Sequence, residues 1–187
     1  MSVTCCRVER DSFVMPQHPD WPKLRAGTQL DALYTRLQAH GKCFVNPSCP
    51  QDKPIVVAIL DPMCVWSHIF WETCLALKDE INFHWYPVCV SADRSTHLSA
   101  AVLASDHGWE MMADLQENFG ENSRAGILAE EAQVTQEQRT IAWENSRIFR
   151  KAGGTSVPLA IFKCRDGTFH PIFAEDSITE IRRIVRL

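Results

Sequence analysis

The chain has 187 residues, of which 45% are hydrophobic and 22% charged, enough for one domain with a hydrophobic core and additional helices. The formal net charge is −4, and Lys and Arg are scattered, which argues against nucleic acid as a partner because phosphate binding needs a concentrated basic face. No apolar run is long enough to cross a bilayer. We therefore expect no membrane insertion.

The N-terminal segment, residues 1–26, contains three prolines among polar residues and has no hydrophobic period, so it is predicted to be an extended arm. It lacks the charged region followed by an apolar stretch that is typical of a secretory signal. Either the protein is cytosolic, or its signal peptide is absent from this chain.

Residues 27–54 are predicted to form a linker helix and a loop. Apolar residues recur at positions 30, 33, 34 and 37, with Thr28 as the expected N-cap and Gly41 as the expected end. The following run, 55–60, is continuously apolar and rich in β-branched residues. This composition indicates a strand that is buried on both faces.

The middle of the chain continues the alternation of strand and helix. Asp61 and Pro62 end the first strand, and a helix follows to about residue 79. A second strand is predicted over 83–90 and two helices over 96–104 and 109–119. Thr135 and Gln138 form a capping box that opens another helix, which runs to the glycines at 153 and 154.

The C-terminal end reads as a hairpin and a helix. Two apolar runs, 159–164 and 169–173, flank an Asp-Gly turn, and a Ser-x-x-Glu capping box at 177–180 opens the last helix. The whole order is a β-α-β unit, a helical stretch and a β-β-α unit. It predicts an α/β protein with the thioredoxin fold over 55–187, a central mixed sheet flanked by helices, with a helical insertion at about 92–134.

The eight cysteines lack the dense spacing of a disulfide scaffold and favour an oxidising compartment only weakly. A turn at Pro47 could bring Cys43 and Cys49 together, and two unpaired thiols in a loop are the alternative. None of the cysteines has partners at metal-ligand spacing. We expect no metal and no cofactor.

Cys64 is the residue whose position points to chemistry. It lies between a buried strand and an amphipathic helix, where the helix's unpaired N–H groups and dipole favour the thiolate. The thiolate is the nucleophile of disulfide exchange. Cys74, in register with Phe70 and Leu77 on the apolar face, is instead predicted to be an inert core thiol.

Two residues of the first helical turn are candidates for assisting Cys64. Ser67 stands where a dithiol Cys-x-x-Cys site has its second cysteine, and it could bond the thiolate or simply contribute to the turn. His68 lies on the same face, and its imidazolium could stabilise the thiolate. A solvent-facing His68 is the alternative.

Val157 and Pro158 immediately precede the predicted strand that opens the hairpin. Proline has no N–H and is poorly suited to a central strand, so it is expected just before one. A cis peptide bond here would turn the chain beside Cys64 and leave the backbone groups of residue 157 free for a bound peptide.

Four stretches of the sequence carry a resemblance to a known family: residues 59–64 with 70–71, 97–105, 144–154 and 157–162. Together they make the chain similar to the catalytic domain of the DsbC/DsbG group of periplasmic thiol–disulfide isomerases, and to the DsbG type most. The resemblance covers about residues 28–187. It implies a periplasmic disulfide isomerase or reductase with Cys64 as nucleophile, His68 tuning the thiolate and a cis Val157–Pro158 bond.

The resemblance also implies a set of partners. Cysteine-containing or disulfide-bonded protein substrates would bind near Trp66, Val157 and Pro158, and a membrane reductase could recycle the protein. Two departures stand out: the family's second active-site cysteine corresponds to Ser67, and position 157, often threonine in the group, is valine. The N-terminal part is also too short for the family's dimerisation domain.

Two alternatives to the oxidoreductase are left open. The first is a redox-inactive thioredoxin-fold binding module or chaperone, in which the groove near Trp66 binds partners without turnover. The second is a glutathione-using transferase or isomerase on a DsbA-like fold, suggested by the Cys-x-Trp-Ser sequence.

Overall fold

A computed structural model describes residues 27–90, 93–119 and 133–186. Its centre is a four-stranded mixed sheet in the order β2-β1-β3-β4. The strands are β1 (Ile55–Leu60), β2 (Asn82–Pro87), β3 (Leu159–Lys163) and β4 (Phe169–Ile172). β2 pairs with β1 in parallel, whereas β3 pairs antiparallel with both β1 and β4. The fold is therefore the α/β architecture expected from the order of elements.

Within the described part of the chain, six helices flank this sheet. They are α1 (Leu30–His40), α2 (Val65–Leu75), α3 (Asp93–Ala104), α4 (Gly108–Glu117), α5 (Gln136–Lys151) and α6 (Ile178–Val185). α2 connects β1 to β2, and α3 to α5 lie between β2 and β3 in the chain. The long helical connection is what separates Cys64 in the sequence from the residues that precede β3.

Strand β1 is buried on both faces. Alternate side chains point to opposite sides of a sheet, and each side of β1 packs into its own hydrophobic cluster. Val57 and Ile59 contact a cluster under α1 and α5 that includes Leu33 and Phe149. Val56, Ala58 and Leu60 pack into the larger cluster with helices α2, α3, α4 and α6. This two-sided burial explains why the strand is a continuous apolar run rather than an alternating one.

The beginning of α1 differs from the sequence expectation. Gln29 is the N-cap and makes no side-chain capping bond, whereas the Thr28 hydroxyl donates to the Gly153 carbonyl at 3.3 Å. The Gln29 N–H donates to the Ala152 carbonyl at 2.7 Å. Gly153 has φ +81, and a Cβ there would lie 2.3 Å from the Gly27 carbonyl oxygen. Thr28 therefore joins the start of α1 to the end of α5 instead of capping α1.

Other local expectations agree with the structure. The Thr135 capping box is formed in both directions, and Ser177 caps α6 by accepting from the Glu180 N–H. The hairpin turns at Gly167, whose φ is +87, a conformation that glycine adopts without strain. β2 ends at Pro87, three residues before the predicted end. The predicted arm, and the part of the insertion at 120–132, lie outside the described residues.

Candidate functional site

Cys64 is the N-cap of α2, with an extended backbone at φ −87 and ψ 122. Its carbonyl accepts the first helical hydrogen bond, from the His68 N–H at 3.0 Å, and its own N–H donates to the Asp61 carbonyl at 3.0 Å. The thiol is half-buried and free of any disulfide. The sulfur thus lies where the first-turn N–H groups and the positive end of the helix dipole favour an anion.

The segment before β3 reaches this thiol from the other side. The Val157–Pro158 peptide bond is cis, as predicted. The Cys64 Sγ lies 3.8 Å from the Val157 carbonyl oxygen, although the two residues are 93 positions apart in the sequence. Val157 is half-buried and Pro158 is buried. The fold therefore brings together the two segments that the sequence singled out.

Ser67 lies beneath the first turn of α2. It is 1% exposed, and its hydroxyl oxygen accepts a hydrogen bond from the Asp61 N–H at 3.2 Å. The side chain thereby helps to hold the end of β1 against the start of α2. Its role as the resolving position of a dithiol site stays a prediction.

His68 is half-buried, and its ring stacks on the Phe119 ring with the centroids 4.7 Å apart and the planes 8° from parallel. Its Nδ1 is buried and has no hydrogen-bond partner among the described residues. One face of the ring is therefore covered by Phe119. That His68 tunes the Cys64 thiolate stays a prediction, as does a substrate contact by the half-buried Trp66.

Two residues of the site were missed by the sequence reasoning. The Asp61 side chain is fully buried, with Oδ1 accepting from the Met63 N–H at 2.9 Å and Oδ2 from the Val90 N–H at 2.8 Å. Gln116 is 1% exposed, and its Nε2 donates to the Pro62 carbonyl at 3.3 Å. Gln116 follows Met112 by four residues, so a polar residue on the apolar face of α4 was the available signal.

The remaining described cysteines are also free thiols. Cys43 and Cys49 form no disulfide with each other; Cys43 is half-buried and Cys49 is buried. Burial raises the pKa of the Cys43, Cys74 and Cys89 thiols. These thiols are therefore poorer nucleophiles at neutral pH than an ordinary exposed cysteine.

Residues 27–90, 93–119 and 133–186 show neither a metal site nor a membrane span. They contain no group of three or more His, Cys, Asp or Glu side chains able to hold a metal ion. None of their helices has the length and hydrophobicity needed to span a membrane.

No protein-family model matches the chain, and no curated protein matches it in sequence. Solved structures do resemble it. The catalytic domain of Proteus mirabilis ScsC is 16% identical and has a TM-score of 0.66, over 84% of this chain and 97% of that domain.

Two further solved structures resemble the chain over a similar share of its length. The thiol-disulfide exchange protein alpha-DsbA2 of Wolbachia pipientis is 14% identical with a TM-score of 0.57, over 84% of this chain and 94% of its own. A periplasmic thioredoxin-like protein of Salmonella enterica serovar Typhimurium is 11% identical with a TM-score of 0.60, over 91% and 97%. Together with the four-stranded mixed sheet and its flanking helices, these likenesses show that the chain has a thioredoxin-like fold.

Proposed function

We propose that this protein is a thiol–disulfide oxidoreductase that acts on protein substrates through Cys64. The observation that carries the proposal is the position of this half-buried thiol, at the N-cap of α2 and 3.8 Å from the Val157 carbonyl oxygen. The names of two structural neighbours support it, a thiol-disulfide exchange protein and a thioredoxin-like oxidoreductase. The periplasmic neighbour from Salmonella supports the same compartment for this chain.

The chemistry begins with attack of the Cys64 thiolate on one sulfur of a substrate disulfide. The substrate S–S bond breaks, a mixed disulfide forms, and the second substrate sulfur leaves as a thiolate that takes up a proton. An extended substrate chain can run along Val157, whose carbonyl oxygen faces the thiol. The electron count is balanced, because one disulfide is exchanged for another.

The presence of Ser67 favours isomerisation over dithiol reduction. Isomerisation is also the activity of the DsbC/DsbG group, which the sequence resembles. A hydroxyl cannot attack the mixed disulfide, so Cys64 is released only when another thiol does so. A neighbouring cysteine of the bound substrate can attack the mixed disulfide. The substrate then leaves with a rearranged disulfide and no net oxidation. Reduction would need an external thiol, such as one supplied by a recycling reductase.

The experiment is incubation of the native chain with insulin as a disulfide-bearing probe, followed by non-reducing gels and mass spectrometry of the adduct. We expect a persistent mixed disulfide at Cys64, absent in Cys64→Ser. Cys43→Ser is the matched control, because Cys43 is also a half-buried free thiol, and it should leave the adduct unchanged. An adduct that survives Cys64→Ser would contradict the proposal.

The Ser67→Cys variant tests the release step. It places an attacking sulfur one helical turn from Cys64, so the exchange that frees the substrate becomes intramolecular and faster by orders of magnitude. The adduct should then disappear, and turnover of insulin disulfides in the presence of an external thiol should rise. Equal adduct lifetimes in the two proteins would argue against Cys64 as the exchange nucleophile.

A binding module without turnover is the second candidate, because the segments near Cys64 carry exposed apolar side chains. Met63, Val65 and Val90 are 37%, 51% and 42% exposed, and the first two flank Cys64 in the chain. Such side chains suit an unfolded polypeptide. If this candidate is right, Cys64→Ala will suppress aggregation of a denatured protein as well as the native chain does, and the native chain will form no insulin adduct.

A further inference from the structure

Asp61 lies three residues before Cys64 and is hydrogen-bonded through both oxygens of its side chain. Its carboxylate is buried, with no exposed surface. One oxygen accepts from the Met63 N–H and the other from the Val90 N–H, at 2.9 and 2.8 Å. Both partners are backbone N–H donors, so each oxygen of the side chain acts as an acceptor. A carboxylate that is buried to this degree is costly unless its oxygens are bonded in this way.

The backbone of Asp61 is joined to the same site. Its N–H donates to the Ser67 hydroxyl oxygen, and its carbonyl accepts from the Cys64 N–H. Asp61 thus contacts the residue before the nucleophile, the nucleophile itself and the first turn of α2. Together these bonds fix the direction in which the chain enters α2 at Cys64.

The Asp61 carboxylate links the Cys64 loop to the segment after β2, residues 88–90. Other hydrogen bonds also hold that segment in place. The Val88 N–H donates to the Leu60 carbonyl at 2.8 Å. The Cys89 N–H donates to the Ser146 hydroxyl oxygen at 2.8 Å, and the Arg150 guanidinium donates to the Cys89 carbonyl at 3.0 Å. This segment is therefore attached to α5, the helix that leads to Val157 and Pro158.

We propose that Asp61 is a positioning residue that sets the Cys64 sulfur against the Val157 backbone by bridging the Cys64 loop to the segment after β2. The inference rests on the proposed function, since it concerns the approach of a polypeptide disulfide. Asp61 does not touch the substrate. It acts through the placement of Met63 and Cys64.

Loss of the bridge formed by Asp61 should slow the reaction of Cys64 with a protein disulfide more than its reaction with a small disulfide. A protein disulfide must lie along Val157 while one of its sulfurs meets Cys64, whereas a small aromatic disulfide needs only the thiolate. In Asp61→Asn one carboxylate oxygen becomes an NH₂ group that faces a backbone N–H, so one side of the bridge is lost. Misplacement of a reacting group by about 1 Å costs up to about a hundredfold in rate.

The experiment compares the native chain with Asp61→Asn in reaction with insulin and with a small aromatic disulfide. Both rates are measured above the pH at which the small-reagent rate levels off, so that the thiolate population is equal. We expect the insulin rate to fall by about tenfold or more and the small-reagent rate to stay within about twofold. Equal losses with both reagents, or no loss with either, would overturn the proposal.

Ser146→Ala is the matched control. It removes one buried hydrogen bond from the same segment after β2, but it leaves the bridge to Met63 intact. It should lower the melting temperature as Asp61→Asn does without separating the two rates. A similar separation in Ser146→Ala would assign the effect to general loosening and overturn the role of Asp61.

A measurement on the native chain covers the case in which Asp61→Asn does not fold. Hydrogen exchange by NMR should find the Met63 and Val90 amides protected, because both donate to the Asp61 carboxylate. Free-loop exchange at both amides would overturn the bridge. A native chain that forms no insulin adduct refutes the proposed function instead, and protected amides would then still support the bridge.

Discussion

The two ends of helix α2 carry the same residue type in opposite environments. Cys64, at the N-cap, is half-buried and has its sulfur near the Val157 carbonyl. Cys74, in the last turn, is 1% exposed within the main hydrophobic cluster, and its burial raises the pKa of the thiol well above the ordinary value. The comparison teaches that position on the helix decides whether a cysteine stays accessible or packs into the core.

The helix itself contributes to this difference. Its first turn offers N–H groups with no intrahelical partner, and its N-terminal end is the positive end of the dipole. Near its C-terminal end the carbonyl of Cys74 accepts from the Leu77 N–H at 2.9 Å, and the dipole there opposes an anion. Burial is the cause of the raised pKa of the Cys74 thiol.

Alkylation of the folded chain should separate the two thiols most strongly. We expect iodoacetamide to label Cys64 faster than Cys74 by about a hundredfold or more, because Cys74 reacts only after local opening. Peptide mass spectrometry gives both rates from one sample. In concentrated urea the two rates should converge, and equal rates in the folded protein would remove the contrast.

The free energy of unfolding should respond to different extents when each thiol is removed. Cys74→Ala leaves a cavity in the core and should lower the free energy of unfolding by about 1–2 kcal/mol. Cys64→Ala removes a partly exposed sulfur with no capping bond, and should change it by less than about 0.5 kcal/mol. Urea unfolding at neutral pH measures both, and a larger loss at Cys64 would reverse the comparison.

The smallest effect is expected in the alkaline stability profile. Burial raises the pKa of the Cys74 thiol in the folded state above its ordinary value of 9.0, so the folded chain keeps a proton that the unfolded chain releases. Its contribution is complete below pH 9 and is lost as the pH rises, by about 1 kcal/mol between pH 9 and 10.

The measurement is the difference between the native chain and Cys74→Ala, because Cys43, Cys89 and Tyr86 have raised pKa values too. The free energy of unfolding of the native chain should fall more steeply above pH 9 than that of the variant. Parallel profiles would mean that Cys74 ionises equally easily in both states.

Much of the fold could be predicted from the sequence because its signals are local. Three kinds of signal depend on residues a few positions apart: the apolar run of β1, the Asp-Gly hairpin turn, and the helix starts at Thr135 (a capping box) and Ser177 (an N-cap bond). The place of Cys64 before the apolar face of α2 is a local signal of the same kind. Their order then predicted the thioredoxin-like architecture.

The tertiary structure alone decided which distant groups meet. Thr28 reaches Gly153 instead of capping α1, His68 stacks on Phe119, and the Asp61 carboxylate bonds Val90, 29 positions away in the chain. By itself the sequence determined where the nucleophile lies on its helix, since capping and hydrophobic period act over one or two turns. Contacts between loops depend on how the sheet and helices pack, and no short-range pattern encodes that packing.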